Sequence, residues 1–168
     1  MAIETITRQE LLENMRRGGS EFVAAARAVP EQHWAEGRYE DGWTARDILA
    51  HVASIEWTYP KLFLLAEQAA ADPAPEALDA ERSFRGGVGD YNQRQVAKRA
   101  DATVGELIEE FERNRATTIA AVEEADADLF AVRIRSAGGV EGTAAEVLNY
   151  VAVIHVEGHL RDLKGESS

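Results

Sequence analysis

The sequence predicts an all-α fold, a four-helix bundle, and three observations carry that reading. Apolar residues recur at three- and four-residue spacing over most of the chain. A Thr followed three residues later by Glu or Asp, the signature of a helix start, stands at four places: Thr7, Thr44, Thr103 and Thr143. Two long connections rich in Gly, Pro or Asp separate the apolar runs. At 168 residues the chain suits one domain, expected to span 1–168.

The first helix is expected near 7–29. Thr7 and Glu10 open it, Leu11, Leu12, Met15, Phe22, Val23 and Ala26 form its stripe, and Pro30 marks its exit. The second is expected near 44–70, opened by Thr44 and Asp47, with Ile48, Val52, Ile55, Tyr59, Leu62 and Phe63 facing inward. Pro60 lies inside that run. It removes a backbone hydrogen bond and crowds the preceding turn, so a kink or break belongs there. Residues 72 to 90, with Pro73, Pro75 and Gly86-Gly87-Val88-Gly89, form the long crossover to a third helix near 90–124. That helix is expected to restart or kink around Ala100 to Thr103. Val132-Arg133-Ile134-Arg135 reads as a short extended piece within a second connection. A last helix near 143–164 carries Val147, Leu148, Val151, Ile154, Leu160 and Leu163, and Gly165 closes it.

Composition excludes several classes. There is no cysteine, which removes disulfides, thiolate metal sites and a cysteine nucleophile together. Lys and Arg number 18 against 30 Asp and Glu, a formal charge of −12. On that balance, with no concentrated basic patch, neither nucleic acid nor an anionic membrane is expected as a partner. The start does not read as a signal peptide, and charges interrupt every apolar stretch. A cytoplasmic protein is expected.

The chemistry rests on histidine. Four are present: His33, His51, His155 and His159. His155 and His159 are four apart, which stacks both imidazoles on one face of the last helix beside Leu148, Val151, Ala152 and Leu163. His51 follows Ile48 by three and precedes Ile55 by four, placing it on the inward stripe of the second helix. Three imidazoles facing a bundle interior need partners. A divalent cation satisfies all three and keeps a coordination position open; hydrogen bonding within the core is the competing reading. His33, between Gln32 and Trp34, reads as a loop histidine.

Gly42-Trp43-Thr44-Ala45-Arg46-Asp47-Ile48-Leu49-Ala50-His51-Val52 resembles the second-helix signature of the DinB-like (YfiT-like) four-helix-bundle metalloproteins. His155-Val156-Glu157-Gly158-His159 is similar to that family's paired ligands on the fourth helix. Tyr91 to Val96 and the Glu106-Leu107 stretch are similar to the third helix of the branch related to the mycothiol-dependent maleylpyruvate isomerase N-terminal domain. The resemblance runs through the chain in order. It implies up-down-down-up topology with a long crossover between helices two and three, and a metal held by His51, His155 and His159. Zn, Ni or Fe suits such a set. It further implies a homodimer and a small-molecule substrate. The activity implied is a thiol-dependent S-transferase or isomerase using mycothiol, bacillithiol or a similar low-molecular-weight thiol as cosubstrate. A metal-dependent hydrolase and a non-catalytic metal- or small-molecule-sequestering protein are the alternatives. The further C-terminal domain of the full isomerase is not expected here.

Supporting residues are less defined. Asp47, four before His51, is a candidate acceptor for its second ring N–H, in competition with its own place at the helix start. Glu157 is expected to project off the metal face into solvent. Asn92 and Arg94 are candidates for lining a pocket, a surface position being the commoner outcome for an Arg. Ser20 lies within a helix and in no nucleophile elbow, and Gly86 to Gly89 lacks the Lys-Ser/Thr of a phosphate loop. Glu109, Glu110, Glu112, Arg113 and Arg115 read as a solvated helix face, and Trp34, Trp43 and Trp57 as core.

Overall fold

The computed structural model describes residues 6–36, 43–71, 87–136 and 138–165. Most of the expected crossover, 72 to 86, lies outside them. Four bundle positions are filled, two of them by broken helices. Helix α1 covers Arg8–Ala28. The second position divides at the expected proline into α2, Ala45–Glu56, and α3, Lys61–Ala71. The third divides into α4, Gly87–Lys98, and α5, Val104–Glu124. Helix α4 starts three residues before Asp90 and takes Gly87 and Gly89 into its first turn, where the amides make no intrahelical bond in any case. The last position holds α6, Ala144–Asn149, a π turn at Tyr150–Ile154 and α7, His155–Lys164.

The helix starts follow the Thr signatures. Thr44, Thr103 and Thr143 each close a reciprocal box, the hydroxyl accepting from the amide of the third helical residue while that residue's carboxylate accepts from the Thr amide. At Thr7 only the hydroxyl half is formed, with Glu10 N at 3.1 Å. Gly165 ends α7 at φ 73°, a left-handed cap that suits glycine. The extended piece pairs as a hairpin: β1, Arg133–Arg135, runs antiparallel to β2, Glu141–Thr143, with Ile134 opposite Gly142.

Hydrogen bonds fix the directions. Arg8 at the start of α1 donates to the Glu123 and Ala125 carbonyls at the end of α5, and Arg27 near the end of α1 pairs with Glu112, so α1 and α5 are antiparallel. Arg46 at the start of α2 bonds the Arg99 and Ala102 carbonyls just before α5, and Asn114 bonds the Ala53 carbonyl at 2.9 Å, so α2 and α5 run parallel. Leu11 and Met15 share a cluster with Val147 and Leu148, whereas Phe22 shares one with Val156 and Leu160, so α1 and the last helix run parallel. The order is up-down-down-up, the connectivity that the resemblance implies.

The core has two apolar clusters. One gathers Phe22, Trp43, Ile48, Phe111, Val156 and Leu160; the other gathers Leu11, Met15, Phe63, Val122, Phe130 and Leu148. Where they meet, the interior is charged. Arg115 is 4% exposed and Glu56 fully buried, with Arg115 Nε 2.7 Å from Glu56 Oε1. That approach is an ion pair with a poorly aligned hydrogen, and the better-directed bond runs from Arg115 Nη2 to Glu56 Oε2 at 3.3 Å. Arg115 thus departs from the solvated face expected of it. Trp57 departs too: it is 48% exposed, donating to the Tyr91 hydroxyl at 2.8 Å with the Lys61 ammonium over its ring. Trp34 and Trp43 are buried as expected. No helix among the described residues is long and apolar enough to cross a membrane.

Candidate metal centre

His51 sits mid-way along α2, one turn inside the Thr44–Asp47 capping box. Helix α7 brings His155 and His159 to it from the antiparallel side. Each ring offers one nitrogen, and the three nitrogens lie within 4.8 Å of one another. Ring centroids are 5.5 Å apart for His51 and His155, 5.2 Å for His51 and His159, and 4.5 Å for His155 and His159. His51 and His159 are buried and His155 is half-buried, which makes His155 the open edge of the cluster. Trp43 closes the opposite side, its ring 5.0 Å from that of His51.

The local hydrogen bonding leaves this cluster with more lone pairs than protons. His159 Nδ1 lies 3.1 Å from Asp162 Oδ2, so that nitrogen carries the hydrogen and Nε2 points into the cluster as a lone pair. The His155 ring bonds the Val151 backbone; since its Nε2 faces His159 Nε2 at 3.0 Å, Nδ1 is the nitrogen left for that bond. Two lone pairs then confront each other, a contact that a shared proton or a cation relieves. His51 Nδ1 is buried without a partner among the described residues. This donor set, neutral and convergent, fits a divalent ion of borderline softness.

Electrostatics favour the neutral rings that ligation requires. Burial, then the proximity of His159 and His155, pushes His51 well below the usual imidazole range. Burial and His159 bring His155 down to about 4, against the Val151 hydrogen bond, which works the other way. Between that value and about 6.5 the unfolded chain binds protons that the folded chain does not. Stability therefore rises with pH across this window and is lost as pH falls through it. Urea midpoints of the metal-free protein at pH 7 and pH 5 check this, and equal midpoints would show rings that are not desolvated.

The remaining expectations divide. Asp47 spends its carboxylate on the Thr44 amide at 3.1 Å, and no bond from it to His51 is formed. His33 is apart from the site, exposed and paired with Glu36 at 3.1 Å. Glu157 is half-buried rather than fully solvated, and outside the three-histidine group. Arg94 is exposed, whereas Asn92 is half-buried with its Oδ1 unbonded. The neighbour of Asn92, Gln93, accepts from Trp43 Nε1 at 3.4 Å and so ties α4 to the wall of the site. Sequence reasoning missed Asp162, although its i+3 spacing from His159 places it on the same side of the helix. It also missed the buried Glu56–Arg115 pair.

Residues 15–164 match the mycothiol maleylpyruvate isomerase N-terminal domain family. No curated protein matches the sequence. Among solved structures, the mycothiol-dependent maleylpyruvate isomerase is similar at 21% identity and a TM-score of 0.68, covering 94% of this chain and 61% of that one. A variant of that isomerase with a histidine replaced by alanine matches at 21% identity and 0.65, covering 90% and 60%. The chain thus spans about three-fifths of the isomerase's length. The colibactin self-resistance protein ClbS, in complex with dsDNA, matches at 14% identity and 0.67, over 98% of this chain and 96% of that one.

The last of these corrects one expectation. Nucleic acid was excluded above on the formal charge of −12, yet a protein of this fold is seen on dsDNA. Net charge sums the whole surface, whereas a duplex meets one patch of it, so the balance of charges does not exclude such a partner. The family match extends from the middle of α1 to the end of α7 and takes in all three clustered histidines. By that match the chain belongs to the mycothiol maleylpyruvate isomerase N-terminal domain family.

Proposed function

We propose that this chain is a metal-dependent enzyme in which His51, His155 and His159 hold one divalent ion, and that it brings a low-molecular-weight thiol to a small electrophile. The observation that carries the reading is the convergence of three ring nitrogens within 4.8 Å, in a chain without cysteine. When bound there, a divalent ion supplies Lewis acidity that lowers the pKa of a thiol or water toward neutrality. The chain's own residues do the rest. His51 and His159, buried, fix the floor of the site, and Asp162 holds the His159 ring with its lone pair inward. His155, at the edge, borders the way in. Trp43 offers an apolar wall that excludes water from one side.

The reaction class follows from the thiol. Its sulfur adds to one carbon of an activated double bond and its proton goes to the other. If the thiol leaves again after rotation about the resulting single bond, the product is an isomer and the thiol is unconsumed. If it stays, the product is an S-conjugate. Low-molecular-weight thiols are kept reduced in the cytoplasm, where we place the protein. The isomerase named among the similar structures favours the first outcome. A second reading, protection against a harmful small molecule by capture or by turnover, draws on the fold shared with the colibactin self-resistance protein, 96% of which this chain covers.

Elemental analysis of the purified protein, with turnover of maleylpyruvate and other small electrophiles in the presence and absence of mycothiol or bacillithiol, separates these readings. One metal per chain and thiol-dependent turnover is the expected result; metal-dependent but thiol-independent turnover would indicate a hydrolase. Stoichiometric consumption without turnover would establish capture. Asp162→Asn is expected to weaken Zn²⁺ or Co²⁺ binding about 10–100-fold while leaving the fold intact. Calorimetric titration measures it, and unchanged affinity would remove Asp162 from the site.

A further inference from the structure

The last helix is not a regular α-helix where it approaches the histidines. At His155 the amide bonds the Tyr150 carbonyl, five residues back, and Tyr150–Ile154 form a π turn. Such a turn absorbs one extra residue and shifts the register of everything after it. Before it, the buried residues are Ala144, Ala145, Val147 and Leu148; after it, Val156, His159, Leu160 and Leu163. A regular α-helix turns about 100° per residue, so the extra residue in the π turn shifts every side chain after it by about that angle relative to those before it. The π turn thus sets the angle at which His155 and His159 are presented to His51 on α2.

One side chain from another helix bonds this turn. Arg115 Nη2 donates to the Ala152 carbonyl at 2.7 Å, and Nη1 donates to the Met15 carbonyl on α1 at 2.9 Å. Glu56, five residues after His51 on the same helix, holds the guanidinium from its third side. Gly19 makes room: a Cβ there would stand 3.3 Å from Arg115 Cγ. Bonds between buried charges of this kind add little net stability compared with apolar packing of equal volume. Their specific product here is geometric, since they join the helix of His51 to the turn that orients His155 and His159.

We infer that Arg115 is a positioning residue for the three-histidine site, setting the π turn through the Ala152 carbonyl with Glu56 as its counter-charge. The inference deepens the metal reading proposed above and takes its functional meaning from it. Arg115→Lys keeps the charge beside Glu56, but a single ammonium cannot serve Met15, Ala152 and Glu56 in the planar geometry of a guanidinium. Glu56→Gln keeps the guanidinium and loosens only its counter-charge, so it serves if the lysine variant does not fold. Val122→Ala, a core truncation in the second apolar cluster, is the comparison for a merely structural effect.

The test reads imidazole ¹⁵N and ¹H resonances of the full-length, metal-free chain at pH 8, then titrates Co²⁺. Arg115→Lys is expected to displace the His155 and His159 resonances, to leave His33 in place and to weaken Co²⁺ binding by about tenfold or more, the range of indirect ligand support. Glu56→Gln is expected to move the same resonances by less. Resonances of His155 and His159 that overlay on the wild type in both variants would overturn the inference, as would equal displacement in Val122→Ala. If the wild type takes up no Co²⁺ while the resonances still move with Arg115, the metal reading fails and the positioning role stands.

Discussion

His51→Ala is expected to abolish stoichiometric metal uptake. A structural zinc site with four ligands is worth about 10–16 kcal/mol, so one ligand in such a set carries about 3 kcal/mol, or ~100-fold in affinity. His51 is also the only one of the three on α2, so its loss removes the link between the two helices and leaves the His155–His159 pair alone. The metal-free variant is expected to fold normally, because the deleted ring is buried with one nitrogen unbonded and its removal relieves that penalty as it opens a cavity. His33→Ala, far out on an exposed turn, is expected to bind like the wild type. Elemental analysis after dialysis, with calorimetry, decides the matter. A His51→Ala protein that retains one tightly held equivalent would end the metal reading.

Arg115→Met is expected to cost about 3–5 kcal/mol at pH 7, the penalty for leaving a buried carboxylate without its cation. Burial already raises the Glu56 pKa against the opposing pull of the Arg115 charge. Without that cation, the folded state favours the protonated carboxyl more strongly than the unfolded state does. The folded variant then binds more protons than the unfolded chain above the ordinary carboxylate range, so its deficit should shrink as pH falls. Joining Arg115→Met to Glu56→Leu is expected to restore most of the stability, since apolar groups of similar volume replace buried ion pairs well. Urea unfolding of the two variants at pH 7 and pH 5 reads each effect. A single variant as stable as the wild type would show that the charge pair is solvated in solution. If Arg115 positions the histidines, the double variant regains stability without regaining metal affinity.

How far the sequence carries depends on the range of the interaction concerned. Helix starts are local, and the four Thr positions were legible because a hydroxyl and a carboxylate three residues apart meet within one turn. The break at Pro60 was legible for the same reason. The histidine cluster was legible from the i,i+4 pair and the inward register of His51, reinforced by the family resemblance. Arg115 was misread because its charge was given more weight than its register. It lies four residues after Phe111 and three before Thr118, both buried, and hence on the inward side of α5. Its partner Glu56 is 59 residues away in sequence, and nothing local announces a pairing at that distance. The π turn was not legible, because the stripe Leu148, Ala152, Val156, Leu160 keeps the four-residue spacing of a regular helix.

That turn fixes the number of residues in the last helix as firmly as their identity. Loops tolerate insertions and deletions because their ends need only meet. The segment from Tyr150 to Ile154 joins two faces that are already committed, Leu148 on one side and Val156 with Leu160 on the other. Removing a single residue there would restore regular α pairing and swing one half about 100° against the other. Either the bundle would surrender one set of apolar contacts or both imidazoles would leave His51. A relative one residue shorter at this point, even with every histidine kept, would therefore be expected to have lost the centre, and alignments of this helix are best judged by counting residues before comparing them.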